Sequence, residues 1–259
     1  MSADTTTSRS NSAFKKLLSL HTSQGIKQNR MFLACGEKLV RELYAESRDN
    51  IASWIRTPQL PDAPTGVASI TLSNGLFNEL NSLGAAGPML ALRLPDLPVF
   101  SPDAPWPSGC TLFIPFGDPE NIGAVIRSAA GLGASRVVLL QEAASPFLPR
   151  AVRSSAGAIL RVKIEHGPAL SGLPFSIGKT PVFALDMRGR NISEIIWPPV
   201  FGLIAGMEGK GLPEEIRRKC ESVSIPLQNG LESLNAAAAV SIALWTWKSK
   251  SRRKPGKGP

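Results

Sequence analysis

Histidine is scarce in this 259-residue chain: His21 and His166 are the only two. Neither sits near residues that would complete a Ser/His or Cys/His triad, so nucleophilic catalysis of that kind is a poor candidate. Cysteine is scarce as well. Cys35, Cys110 and Cys220 are odd in number and widely scattered. They form no disulfide framework and no metal-ligand spacing, which points to a reducing cytoplasm and to no metal. No apolar run approaches the ~20 residues that a membrane helix needs. The start, MSADTTTSRSNSAFKKLL, lacks the apolar core of a secretory signal. The expectation is a soluble globular protein without a membrane partner.

Acidic residues are scarce at the two ends. Residues 1–30 carry Arg9, Lys15, Lys16, Lys27 and Arg30 against Asp4 alone, and residues 248–259 carry six Lys and Arg with no acid. The net charge is +9, so the body between the ends is nearly neutral. Basic ends around a neutral body suit attraction to a polyanion such as nucleic acid, although solubility alone would also explain them.

Polar, Ser/Thr-rich composition predicts a disordered basic segment over residues 1–24, grading into a short amphipathic helix near Phe14–Leu20. Residues 25–94 read as a small α/β domain, with MFLAC and PMLALRL as strands and LFNELNSL as a helix. The prolines of LPDLPVFSPDAPWP exclude a helix or central strand and predict a linker over 95–109. From 110 to 247, strands and helices alternate, as a mostly parallel sheet covered by helices requires. Residues 248–259 read as a basic tail.

Three segments of the second domain place polar residues beside glycine or small-residue turns at strand ends, where open α/β sheets bind ligands. The first is FGDPENIGAVIRSAAGLG, residues 116–133, with Asn121 and Arg127 on a capped helix. The second is GLIAGMEGKGL, residues 202–212, with Glu208 among glycines that include Gly206. Its lysine is followed by glycine, which excludes a phosphate-binding P-loop. The third is SIPLQNGLESLNAAAAVSIALW, residues 224–245, with Ser233 and Asn235 opening an alanine-rich helix. Each segment alone also fits an ordinary capped helix or tight turn. GLGASR, residues 131–136, lacks the third glycine of a dinucleotide fingerprint and ends a helix, so it is set aside.

Taken in order, D-P-x-N-x-G-x-x-x-R, G-x-E-G-x-G-L and I-P-x-x-x-x-x-x-S-L-N resemble the three motifs of the SpoU (TrmH) branch of the SPOUT methyltransferases. RSSAGAILRV, residues 153–162, resembles the serine–alanine–glycine stretch between the first two. The first module resembles, more loosely, the RNA-binding substrate domain that many such enzymes carry. The resemblance implies an α/β fold with a mostly parallel sheet and a C-terminal deep trefoil knot, preceded by the small α/β domain. It implies transfer of a methyl group from S-adenosylmethionine to a ribose 2′-hydroxyl of RNA, ribosomal before transfer RNA, by a homodimer. Residues implied for catalysis are Asn121, Arg127, Glu208, Ser233 and Asn235. Those implied for the cofactor wall are Leu185, Asp186, Gly206, Ile225, Leu227, Leu234 and Ala236. Arg127 would hold a phosphate beside the target ribose; a guanidinium keeps its proton too firmly to serve readily as the base. The alternatives are 2′-O-methylation of transfer RNA, base methylation, or an RNA-binding protein without activity.

Overall fold

The computed structural model describes residues 5–173, 180–207, 209 and 211–251. Two compact units result. One holds the described residues up to Asp96 together with Ser145–Gly157; the other holds Leu97–Ala144 and the described residues from Ala158 onward.

The first unit begins with two short helices, α1 (Ser12–Ser19) and α2 (Ser23–Asn29). The Asn11 side chain accepts from the amides of Ala13 and Phe14, and the Thr22 hydroxyl accepts from Gly25, so both helix starts are capped. Phe14, Leu17, Leu20 and Ile26 are buried. The disorder expected over 1–24 therefore does not hold for residues 5–24. Burying a large apolar side chain yields about 1.5–3 kcal/mol, which offsets the ~1–2 kcal/mol per residue of backbone ordering. Lys15 and Lys16 occupy the outer face of α1, the amphipathic helix expected near Phe14–Leu20. Next come β1 (Met31–Cys35), α3 (Glu37–Glu46), β2 (Ile51–Arg56), β3 (Ser69–Thr71), α4 (Asn74–Leu80) and β4 (Met89–Arg93). The sheet order is β1-β4-β2-β3, with β4 antiparallel to both neighbours and β2 parallel to β3.

The second unit contains β5 (Gly109–Ile114), α5 (Pro119–Leu132) and β6 (Arg136–Leu139). The chain then leaves for α6 (Pro149–Ser155), which belongs to the first unit and meets β1 there. This excursion corrects the expectation of one unbroken domain over 110–247. It returns as β7 (Ile164–His166), β8 (Val182–Asn191), β9 (Val200–Ile204), α7 (Glu214–Arg217), β10 (Glu221–Ser224) and α8 (Ala236–Ser251). Because α8 runs to Ser251, Lys248 and Lys250 are helical and not tail; Lys250 donates to the carbonyls of Ser193 and Ile195. All neighbours in the sheet β10-β8-β9-β5-β6-β7 are parallel. From β5 the chain steps outward to β6 and β7, then crosses to the other side, leaving a gap that β9 fills. The order thus reverses at β5 and β9, where α/β sheets open a crevice at the strand carboxyl ends.

The proline-rich stretch is not a free linker. Val99 bridges His166 on the sheet edge, and the Phe100 amide donates to the His166 carbonyl at 2.8 Å. Phe100 and Trp106 pack on Phe113 and flank the buried Arg136, whose guanidinium lies 4.9 and 5.6 Å from their ring centres. Arg136 pairs with Glu165 at 3.2 Å, the two side chains only 5% and 4% exposed, and also donates to the Thr111 hydroxyl. Breaking a buried pair strands a charge. Glu165→Leu alone is therefore expected to cost about 3–5 kcal/mol. Arg136→Met with Glu165→Leu should cost clearly less. Urea unfolding of both proteins reads the difference, and equal losses would refute a coupled pair.

Candidate active site

Three loops at the carboxyl ends of β5, β9 and β10 converge. After β5, Pro119 opens α5 and the Asp118 carboxylate caps it by accepting from the Glu120 amide at 2.9 Å. Asp118 also brings Asn121 into the first turn. After β9 the chain doubles back, and Met207 and Gly211 exchange amide–carbonyl hydrogen bonds of 2.9 and 3.1 Å. A Cβ on Gly206 would stand 2.8 Å from the Gly211 Cα, so only glycine fits this crossing. After β10 the chain turns at Asn229 and Gly230, both at positive φ, and reaches α8.

Asn235 joins the first and third loops. Its Oδ1 accepts from the Ala238 amide at 3.1 Å, capping α8, and its Nδ2 donates to Asn121 Oδ1 at 2.9 Å. Further along the same helices, the Ser128 and Ser241 hydroxyls bond at 2.7 Å. Two residues 114 positions apart are thereby locked in one orientation.

Around this pair lies a cavity of about 760 Å³. Asn121, Ser233 and Asn235 line it, as do Leu185, Asp186, Gly206, Ile225, Leu227, Leu234 and Ala236. Ten of the twelve residues named from sequence thus surround one space. Arg127 does not: it is exposed on α5 outside the lining. Glu208 lies outside the described residues. Sequence reasoning missed Arg217, which also lines the cavity and pairs with Asp186 at 3.0 Å. No local signal separates it from Arg218 beside it; only the fold turns one inward and the other to solvent.

The thiols contribute no nucleophile. Burial raises Cys35 and Cys110 above the usual range, and pushes Cys220 to about 12. A thiol held that high stays protonated at neutral pH and reacts poorly. Among the described residues no helix is long and apolar enough to cross a membrane, and no group of three His, Cys, Asp or Glu could hold a metal ion.

The sequence signature of the SpoU rRNA Methylase family matches residues 112–245. The chain belongs to the SpoU methylase family. A relative from Syntrophobacter fumaroxidans, called ribosomal RNA small subunit methyltransferase G 2, is 39% identical over 257 residues, which is 97% of this chain and 51% of the relative. The chain thus spans about half the length of that relative. Two solved structures share the fold. One is an AdoMet-bound rRNA methyltransferase from Sinorhizobium meliloti, with TM-score 0.79 and 21% identity, covering 97% of this chain and 99% of that one. The other is an RNA 2′-O ribose methyltransferase, with TM-score 0.77 and 20% identity, covering 96% and 99%. Both resemblances extend through the first unit, so this SpoU chain carries the same two-unit fold and not the methylase unit alone.

Proposed function

We propose that this SpoU-family chain transfers the methyl group of S-adenosylmethionine to a ribose 2′-oxygen of RNA, with ribosomal RNA the substrate ahead of transfer RNA. The observation that carries this reading is the Asn235–Asn121 bond at the wall of the cavity. It joins the first and third motifs and holds them oriented before any substrate arrives.

The cavity fits the cofactor. Its volume is within the ~300–1,000 Å³ common for cofactor-sized ligands. Leu185, Ile225, Leu227 and Leu234 offer apolar wall, and the backbone at Gly206 and Ala236 can approach closely. Arg217 Nε is buried without a partner among the described residues, a donor left over at the cavity wall. S-adenosylmethionine, when bound, supplies an electrophilic methyl carbon. The residues then have to bring the ribose oxygen in line with it, and positioning alone accelerates such a displacement greatly. Asn121 and Asn235 orient the hydroxyl. Ser233 bonds the ribose or its own loop. Arg127, exposed on the helix that carries Asn121, holds the neighbouring phosphate with its planar fork and eases the charge developing on the oxygen. Glu208 belongs with this group by motif.

The names of the Syntrophobacter and Sinorhizobium relatives support ribosomal RNA, and the second structure, an RNA 2′-O ribose methyltransferase, supports the ribose. A homodimer is supported by Ile242 and Trp245, exposed by 38% and 61% on the outer face of α8. The reversed strand order and the backbone crossing at Gly206 support the C-terminal knot. A grip of the first unit on the RNA backbone is supported by Arg9, Lys15, Lys16, Lys27 and Arg30 at its start.

Two tests apply. Purified protein with S-adenosyl[methyl-³H]methionine and total RNA should yield label in alkali-resistant dinucleotides, because a 2′-O-methyl group removes the hydroxyl that attacks the phosphate. Label only in mononucleotides would point to the base. Second, deleting residues 252–259 removes Arg252, Arg253, Lys254 and Lys257 but spares the lysines of α8. RNA affinity should fall and the slope of log K against log salt should flatten by up to about 3–4. An unchanged slope would make the tail a solubility device.

A further inference from the structure

We propose that Asp186 and Arg217 form a subsite for the zwitterionic α-amino-acid end of the cofactor, Arg217 taking the carboxylate and Asp186 the ammonium; this rests on the cofactor reading above. Four charged residues line the cavity among those described: Asp186, Arg188, Arg217 and Glu232. Arg188 is 75% exposed and Glu232 is also exposed, so water screens both. Asp186 and Arg217 are only 15% and 18% exposed, which leaves them as the charges with a strong local field.

Their bonds leave capacity over. Asp186 Oδ1 accepts from the Arg188 amide at 2.9 Å and Oδ2 from Arg217 Nη1 at 3.0 Å. A carboxylate has about four acceptor positions, so room for an ammonium remains. Arg217 spends Nη1 on Asp186 and Nη2 on Glu214, while Nε–H has no partner among the described residues. A buried donor without an acceptor is costly, and a ligand carboxylate would relieve it with a charge-assisted bond. The two protein charges also touch each other, as do the ammonium and carboxylate on a single α-carbon. A positive and a negative group at that spacing complement a zwitterion and not a phosphate or a simple cation. Asp186 lies in the middle of β8 and Arg217 closes α7, so both are fixed by the fold; the plainer role is a strut between those two elements.

Isothermal titration of the full chain separates the two roles. The probes are S-adenosylhomocysteine, its decarboxylated analogue, and 5′-methylthioadenosine, which lacks the amino-acid end. Arg217→Gln should weaken S-adenosylhomocysteine by about 10- to 100-fold and leave 5′-methylthioadenosine unchanged. Arg217→Lys should recover part of the loss, and Asp186→Asn should show the same selectivity. Wild-type protein should bind the decarboxylated analogue more weakly than S-adenosylhomocysteine, which tests the carboxylate contact even if a variant fails to fold. Equal weakening of all probes, or no preference for the carboxylate in the wild type, would make the pair a strut. Wild-type protein that bound none of the probes would overturn the cofactor reading and the subsite with it.

Discussion

Replacing Arg127 by alanine is expected to slow methyl transfer by about 10²–10³-fold, the usual cost of removing one group that stabilises developing charge. Cofactor affinity should not change, because Arg127 does not line the cavity. The side chain is exposed on α5, so its loss should leave stability within about 0.5 kcal/mol. Arg127→Lys should recover only part of the rate, since a point charge cannot reproduce the two-pronged grip on phosphate. Single-turnover rates at saturating RNA, with S-adenosylhomocysteine titration alongside, separate these effects. A normal rate for Arg127→Ala would remove the residue from the mechanism.

Gly206→Ala is expected to act in the opposite way, through the cofactor. The added Cβ would meet the Gly211 Cα at 2.8 Å, its carbonyl carbon at 2.9 Å and the Leu212 amide at 3.1 Å. All three are backbone, so no side chain can swing aside and the loop itself must open. Forcing an extra methyl into a packed site costs about 1–3 kcal/mol, which at this wall should weaken S-adenosylhomocysteine by roughly 5- to 150-fold. Gly131→Ala supplies the control. Gly131 is an exposed glycine within α5 with nothing near its added Cβ, and alanine there should leave binding intact. Equal affinity for Gly206→Ala and wild type would show that the crossing yields easily and does not shape the site.

Local pattern carried the parallel sheet well, because buried strands such as TLFIPF and FGLIAG announce themselves by continuous apolar runs. The family resemblance, and not any single motif, named Leu185 and Asp186 with the motif residues, and ten of the twelve line one cavity. What stayed hidden depended on distant partners. The prolines of 95–109 do prevent regular structure, yet Phe100 and Trp106 anchor that stretch to Arg136 and Phe113, residues with no local tie to it. LPRAVRSSAGAI reads as helical, and nothing in RAVRSS tells that α6 packs on β1. The amphipathic helix near Phe14–Leu20 was legible and appears as α1, with Phe14 and Leu17 buried; the order of the polar residues around it was not. In α8 nearly every position is apolar or small, so Trp247 is buried while Trp245 is exposed, and periodicity marks neither face. Arg217 and Arg218 differ only in which way α7 turns them.

Nucleoside mass spectrometry of ribosomal and transfer RNA, from cells with and without this protein, tests the central claim most directly. A 2′-O-methyl nucleoside that disappears from ribosomal RNA and returns with the wild-type gene, but not with Arg127→Ala, is the predicted result. Ribose methylation unchanged in both RNA classes, with a base-methylated nucleoside lost instead, would contradict it.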